Sequence, residues 1–182
     1  MGQATNHLTD ACFEQMRERF LGAMRLAGSG VSIITACSDG ERYGATVSAL
    51  CSLTVEPPSV LVCINRASRT AGAVRESGAF CANLLSDEQI NLAELFAGRA
   101  ASGEERFRHG GWAKMVTGSP ALEGSLASFD CELASMLPFG SHYIFVGQVK
   151  DVRLGKGQPL LYCDRSYGRI EKTPRQSTPA TV

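Results

Sequence analysis

Hydrophobic and polar positions change their period several times along the chain, and each change marks an element. Phe13, Met16, Phe20, Met24 and Ala27 recur at steps of three and four, drawing one apolar stripe down a helix from about Thr9 to Leu26. Thr9 or Asp10 can cap it, and Gly28 and Gly30 end it. The spacing then shortens to that of strands. "VSIITACS" (31–38) is short and β-branched, "SDGER" supplies a turn with an Asp-Gly pair, and a second strand begins near Tyr43. "ATVSALCSLTVEPPSVLVCIN" (45–65) reads as a hairpin with small hydroxyl residues, Thr46, Ser48, Ser52 and Thr54, set among apolar ones. Its second half, "SVLVCIN" (59–65), is apolar on both faces and belongs in the interior.

"RASRTAGAVRESG" predicts a short helix with Ser68 in the N-cap region and Gly78 as its stop. "AFCANLL" returns as a strand. "SDEQINLAELFAG" predicts a helix with Ser86 as cap, Gln89 at the capping-box position and Gly98 as terminator, its Ile90, Ala93, Leu95 and Phe96 facing the body. Residues 98–119 are rich in Gly and charge and keep no steady period, so a long surface excursion is expected. "SLASFDCELASML", "SHYIFVGQVKDVRL" and "PLLYCDRSYGRI" are strand-like. Many strands with two or three peripheral helices predict a mainly β fold, a closed or nearly closed antiparallel barrel. The helix between the strands at 59–65 and "AFCANLL" also fits a local parallel crossover, and both arrangements stay open. Residues 9–170 are expected to form one domain, after a flexible N-terminus (1–8) and before a disordered polar tail (171–182).

A chain of 182 residues can bury roughly two thirds of its unfolded surface, enough for a core and a site. Its 18 basic residues balance 18 acidic ones, which argues against a nucleic-acid partner. No window approaches the run of about 20 apolar residues that crosses a bilayer, and the acidic N-terminal stretch does not read as a secretory signal. Seven cysteines, Cys12, Cys37, Cys51, Cys63, Cys81, Cys131 and Cys163, contain no C-x-x-C pair. Buried free thiols in a reducing compartment fit them, and the protein is expected in the cytoplasm.

Two features carry candidate chemistry. Ser68 and Thr70, flanked by Arg66 and Arg69, stand at a helix start, where free N–H groups and the positive dipole end can take a phosphate; the same hydroxyls also fit ordinary capping. Thr46, Ser48 and Ser52 fit solvent-facing strand positions, or a polar edge for a flat ligand. Together the two features match the pyrimidine end and the phosphate of one flavin molecule. Arg99, Arg106 and His109 in the excursion are candidates for dinucleotide phosphates, or else a solvated loop. No G-x-G-x-x-G fingerprint follows a strand.

The ordered segments "MRLAGSGVSIIT", "GATVSALCSLTVEPPSVLVCINRAS", "SGAFCANLLSDEQINLAELFAG", "EERF", "GW", "GSLASFDCEL", "GSHYIFVGQV" and "PLLYCDRSY" resemble the short-chain NADH:flavin reductases. These are the small reductase components of two-component flavin-dependent monooxygenases of the 4-hydroxyphenylacetate 3-monooxygenase type. The resemblance runs from about residue 17 to residue 168. It implies an FMN-binding split β-barrel, a homodimer with flavin near the subunit interface, FMN or FAD as flavin, NADH or NADPH as donor, and a separate monooxygenase that receives reduced flavin. Carried over by matching positions, Thr46, Val47, Ser48 and Ala49 lie along the isoalloxazine with Ser52 beside it. Cys63, Ile64 and Asn65 follow the ribityl chain, Ser68 and Thr70 hold phosphate, and Phe96 and Ala97 border the flavin. His142 matches the family's histidine near the nicotinamide, although "GSH" stands where many relatives have "GDH", so that Ser141 replaces an acidic residue. A non-catalytic flavin-binding protein and a split-barrel flavin-dependent oxidase are the alternative readings.

Overall fold

The computed structural model describes residues 10–98 and 103–171. The expected flexible N-terminus, the tail from residue 172 and Arg99 lie outside the described residues. Helix α1 runs Asp10–Arg25, close to its predicted span. After the short β1 (Ser29–Gly30) come β2 (Ser32–Ser38) and β3 (Glu41–Val47), joined by Asp39 and Gly40. Both turn residues have positive φ, 51° and 80°, as a tight hairpin turn requires. β4 (Leu50–Val55) and β5 (Pro58–Asn65) follow, then α2 (Arg69–Ser77) and β6 (Ala79–Leu84). A 3-10 turn (Asp87–Gln89) with the predicted Ser86/Gln89 capping box leads into α3 (Ile90–Ala97). The chain then forms α4 (Gly103–Arg106), the small β7 (Trp112–Lys114) and β8 (Pro120–Leu122), and the long β9 (Ala127–Phe139) and β10 (His142–Leu154). β11 (Leu161–Cys163) and β12 (Ser166–Gly168) complete the described elements.

Seven strands make one sheet in the order β3-β2-β6-β9-β10-β5-β4, every neighbouring pair antiparallel. β3 and β4 are consecutive in the chain yet occupy opposite edges. Only Ser48 and Ala49 separate them, and three peptide units reach at most about 11 Å. The sheet must therefore roll until its two edges approach at that point, which makes it a split barrel. The stretch expected to be one hydroxyl-lined hairpin is instead a hand-over between edges: Thr46 belongs to β3, Ser52 and Thr54 to β4, and the hairpin proper is β4–β5. The parallel crossover is also ruled out, because three successive antiparallel pairings, β6 with β9, β9 with β10 and β10 with β5, leave β5 and β6 running in opposite directions.

Two clusters fill the interior. Val62, Val74, Phe80 and Phe145 centre the first, between the sheet and α2. Val31, Ile33, Phe96, Phe107 and Leu160 form the second, around α3. The excursion at 98–119 is more than a surface wrap. Phe107 is buried, and its ring lies 5.2 Å from that of Phe96 and 4.8 Å from that of Trp112, so the segment supplies an aromatic wedge to the second core. Ala93 and Phe96 face the body as expected, with Ile90 and Leu95 packed beside them. The α1 stripe behaves differently: Phe13, Met16, Phe20 and Met24 all face solvent.

Candidate functional site

In an antiparallel ladder directly opposed residues point to the same face. Ile64 pairs with Tyr143 and Val62 with Phe145, all core residues, so the alternate set points outward. That outward set places Asn65 opposite His142, which in turn opposes Phe139; one step along, Cys63 opposes Ile144 and then Leu137. The hand-over at Ser48 and Ala49 meets this face, with Cys63 N–H donating to Ala49 O at 3.0 Å. A cleft of about 300 Å³ results, lined by Ala45, Thr46, Val47, Ser48, Ala49, Cys63, Ile64, Asn65, Ser68 and His142.

A second cleft of about 640 Å³ continues from it, sharing Ala45, Thr46, Asn65 and Ser68. It runs past Tyr43, Arg69 and Thr70 to Phe96, Ala97, Gly98 and Arg106. All the residues the resemblance carried over, except Ser52, line one or both clefts. Ser52 pairs with Val60, a core residue, so its side chain points to the face opposite the cleft. Three others have little free side chain: Ile64, Thr70 and Phe96 are buried, so that Ile64 presents chiefly backbone. Thr46 Oγ1 donates to Ala93 O at 2.7 Å and ties β3 to α3.

The start of α2 presents backbone donors beside an arginine, the geometry of an anion site. Ser68 caps it in extended conformation (φ −72°, ψ 134°), its Oγ accepting from Thr70 N–H at 3.2 Å. Asn65 Oδ1 accepts from Ala67 N–H at 2.9 Å and shapes the turn that presents the cap. Gly72 N–H donates to Ser68 O, which leaves the Arg69 and Ala71 N–H groups without an intrahelical acceptor. The Arg69 guanidinium lies 5.3 Å above the Tyr43 ring at the rim. Tyr43 Oη donates to Glu41 at 2.7 Å, and this bond is the main cause holding its phenol above the ordinary 10.0. Burial, reinforced by the nearby Cys51 thiol, raises the Cys63 pKa. Serine replaces the acidic neighbour of His142 without leaving the ring alone: Ser141 Oγ and His142 Nδ1 are 2.9 Å apart.

The excursion contributes less directly than its charges suggested. Arg106 donates to Gly44 O at 3.5 Å and to Gly98 O, clamping β3 to the end of α3 beneath the second cleft. His109 is exposed, and its carbonyl accepts from Trp112 Nε1. A Cβ at Gly44 would lie 2.5 Å from Phe96 Cε1, so the smallness of this residue serves the core. The Tyr43–Arg69 stack and the Arg106 clamp were missed in the sequence. Tyr43 stands two positions before Ala45 on β3, and that alternation was the available signal.

A flat cleft of small residues and free backbone, joined to a capped helix start beside arginine, fits a flavin with its phosphate. No group of His, Cys, Asp and Glu among the described residues is arranged to hold a metal. The class is a flavin- or nucleotide-binding split barrel. The pattern defining the flavin reductase like domain family matches residues 24–171, and the chain belongs to that family. It is 41% identical over 160 residues to FMN reductase (NADH) RutF 1 of Methylorubrum extorquens, covering 87% of this chain and 79% of the relative. Nitrilotriacetate monooxygenase component B from Mycobacterium thermoresistibile superposes with a TM-score of 0.81 at 30% identity, over 92% of this chain and 96% of that one. Flavin reductase HpaC, solved with NADP+, gives a TM-score of 0.77 at 31% identity, over 85% and 98%.

Proposed function

We propose that the protein is an NADH-dependent flavin reductase that binds FMN or FAD in the joined clefts and releases reduced flavin to a separate flavin-dependent monooxygenase. The observation that carries this reading is the continuity of the two clefts, lined by small residues at one end and reaching the capped start of α2 at the other. The RutF relative is named for NADH and FMN, and the nitrilotriacetate neighbour for a monooxygenase component; both support the assignment. The neighbour solved with NADP+ supports NADPH as a second donor.

When bound, the flavin supplies the hydride acceptor, N5, for the nicotinamide C4 hydrogen, a transfer that requires no protein acid or base. The protein's part is positional. Ala45 and Ala49 keep the cleft wall low enough for a second flat molecule at the roughly 3–3.5 Å approach hydride transfer needs. Val47, Ser48 and Ala49 offer backbone to the polar edge of the ring, with Thr46 fixed behind them by Ala93. Cys63, Ile64 and Asn65 follow the ribityl chain. Ser68, Thr70 and the free N–H groups of α2 hold the phosphate, while Phe96 and Ala97 wall the far side. His142 stands at the open side, where the nicotinamide enters.

Residues 9–170 act as one catalytic unit, two copies of the chain associate, and the free thiols throughout suit a cytoplasmic setting. Among the described residues no helix is long and apolar enough to cross a membrane. The test is NADH oxidation titrated with FMN and with FAD. Saturable turnover with free flavin is expected; a yellow protein inert toward NADH would leave a flavin-binding role, and peroxide release during oxidation of an organic amine would leave an oxidase.

A further inference from the structure

Arg66 lines neither cleft, although Asn65 and Ser68 on either side of it do. Asn65 looks out over the cleft, so the next side chain turns to the back of the sheet. There the Arg66 guanidinium lies 5.2 Å from the centre of the Tyr143 ring, which packs on the first core, and Arg75 of α2 approaches the same ring at 5.4 Å. Arg66 also grips the turn between β9 and β10. Its N–H donates to Ser141 O at 2.9 Å and its Nη1 to Gly140 O at 3.3 Å. One residue thus holds Gly140, Ser141 and Tyr143, which flank His142, from outside the cleft.

The backbone of Arg66 belongs to the phosphate cap. Ser68 N–H donates to Asn65 O at 2.9 Å and Ala67 N–H to Asn65 Oδ1 at 2.9 Å, closing a turn with Arg66 at its first central position. That turn aims Ser68 and the free N–H groups of α2. The turn it meets has only two residues, Gly140 with a φ of 51° and Ser141, between the paired Phe139 and His142. Both turns are short and tied by hydrogen bonds. Arg66 is part of one and bonds the other, so their positions move together.

We propose that Arg66 is a positioning residue that couples the two binding events of the reaction: a phosphate held at the start of α2 fixes the 65–68 turn, and Arg66 passes that order to the Ser141–His142 turn, where the nicotinamide enters. The inference rests on the flavin reductase reading above and adds how its two sites communicate. A flavin that carries phosphate then raises the affinity for the dinucleotide more than riboflavin does. By reciprocity the dinucleotide tightens the phosphorylated flavin by the same factor. Lysine at this position keeps a donor for Gly140 O but loses the planar stack on Tyr143, so it restores only part of the effect.

The experiment measures FMN and riboflavin affinity on the full chain by flavin fluorescence, with and without excess NAD+, which does not react with oxidised flavin. Wild type is compared with Arg66→Ala and Arg66→Lys, and the thermal transition is the folding control. Arg66 is exposed, so its replacement spares the core. Should the alanine variant melt early, Arg66→Gln, which keeps a donor and most of the stem, takes its place. Support is a wild type whose FMN affinity NAD+ tightens by roughly fivefold or more while riboflavin responds less, a factor below about twofold in Arg66→Ala, and an intermediate one in Arg66→Lys. Equal weakening of FMN and riboflavin in Arg66→Ala with the NAD+ factor kept makes the arginine merely structural and overturns the coupling. Loss of FMN affinity alone, with the factor kept, makes it a direct phosphate ligand and overturns the coupling equally. A wild type that binds both flavins without any response to NAD+ overturns the coupling and leaves the flavin site standing, whereas one that binds neither flavin overturns the flavin reductase reading itself.

Discussion

Ser141 Oγ and His142 Nδ1 lie 2.9 Å apart at the turn joining β9 to β10, with Asn65 opposite the histidine on β5. The hydroxyl fixes the imidazole orientation without adding charge, and the proton between them follows the tautomer. His142→Ala is expected to lower kcat/KM for NADH by roughly tenfold while the flavin Kd changes less. Ser141→Ala removes one hydrogen bond, about 1 kcal/mol or roughly fivefold. If the serine acts through the histidine, the double variant is no worse than His142→Ala alone. Steady-state kinetics with varied NADH check this; additive losses would show that Ser141 contacts substrate on its own account.

Ser48 sits in the two-residue hand-over between the barrel's edges, exposed on the cleft wall. A phenyl ring there fills space reserved for a flat ligand without touching the core, so Ser48→Phe is expected to weaken flavin binding at least tenfold and keep the melting temperature. Flavin fluorescence titration and a thermal scan read both. Unchanged affinity would place the ring elsewhere. Ser52→Phe is the control, since Ser52 shares its face with core residues Val60 and Val62 and lies outside both clefts.

The contrast between Ser48 and Ser52 shows how far the sequence was legible. Local chemistry read well: Ser68 caps α2, Gly78 ends it at φ 66°, and Ser86 with Gln89 forms the capping box, because each depends on neighbours within four residues. Sheet order did not. "GATVSALCSL" alternates as one strand would, and only the pairing of β3 with β2 and of β4 with β5 reveals that Ser48 breaks it. The face of Ser52 depends on register against Val60, which is a non-local property. The need for glycine at position 44 is non-local in the same way, since Phe96 reaches it from another element. The excursion lacked a period because Phe107 and Trp112 pack as isolated anchors rather than as a stripe. The α1 stripe was legible in its spacing, but spacing does not say which surface it covers.

A Cβ at Gly44 would come 2.5 Å from Phe96 Cε1 and 2.7 Å from its Cδ1. Phe96 cannot retreat freely, since Phe107 and Trp112 hold its ring at centroid distances of 5.2 and 5.4 Å. Gly44→Ala is therefore an overpacking change, expected to cost about 1–3 kcal/mol and to lower Tm by roughly 2–10 °C. Differential scanning calorimetry gives the value. Because the displaced ring also walls the second cleft, flavin affinity should fall with it, and a variant with wild-type Tm would show that Phe96 moves aside at little cost.

Cys131 and Cys81 are buried in the barrel, and their thiols give the fold an alkaline limit. Burial, with a smaller push from Asp130, raises Cys131 from the ordinary 9.0 to about 12, and burial raises Cys81 further still. Above pH 9 the unfolded chain loses these protons while the folded chain keeps them. Stability is thus fully present below about pH 9 and is lost as pH rises toward 12, at up to about 1.4 kcal/mol per pH unit for each thiol. Cys131→Ala leaves a small cavity and lowers stability at neutral pH, but its decline through the alkaline range should be shallower than that of wild type. Urea midpoints at several pH values from neutrality to about 10.5 compare the two slopes. Parallel curves would mean that Cys131 ionises in the fold as easily as in the unfolded chain, which its burial with Phe80 and Phe145 in the first core opposes.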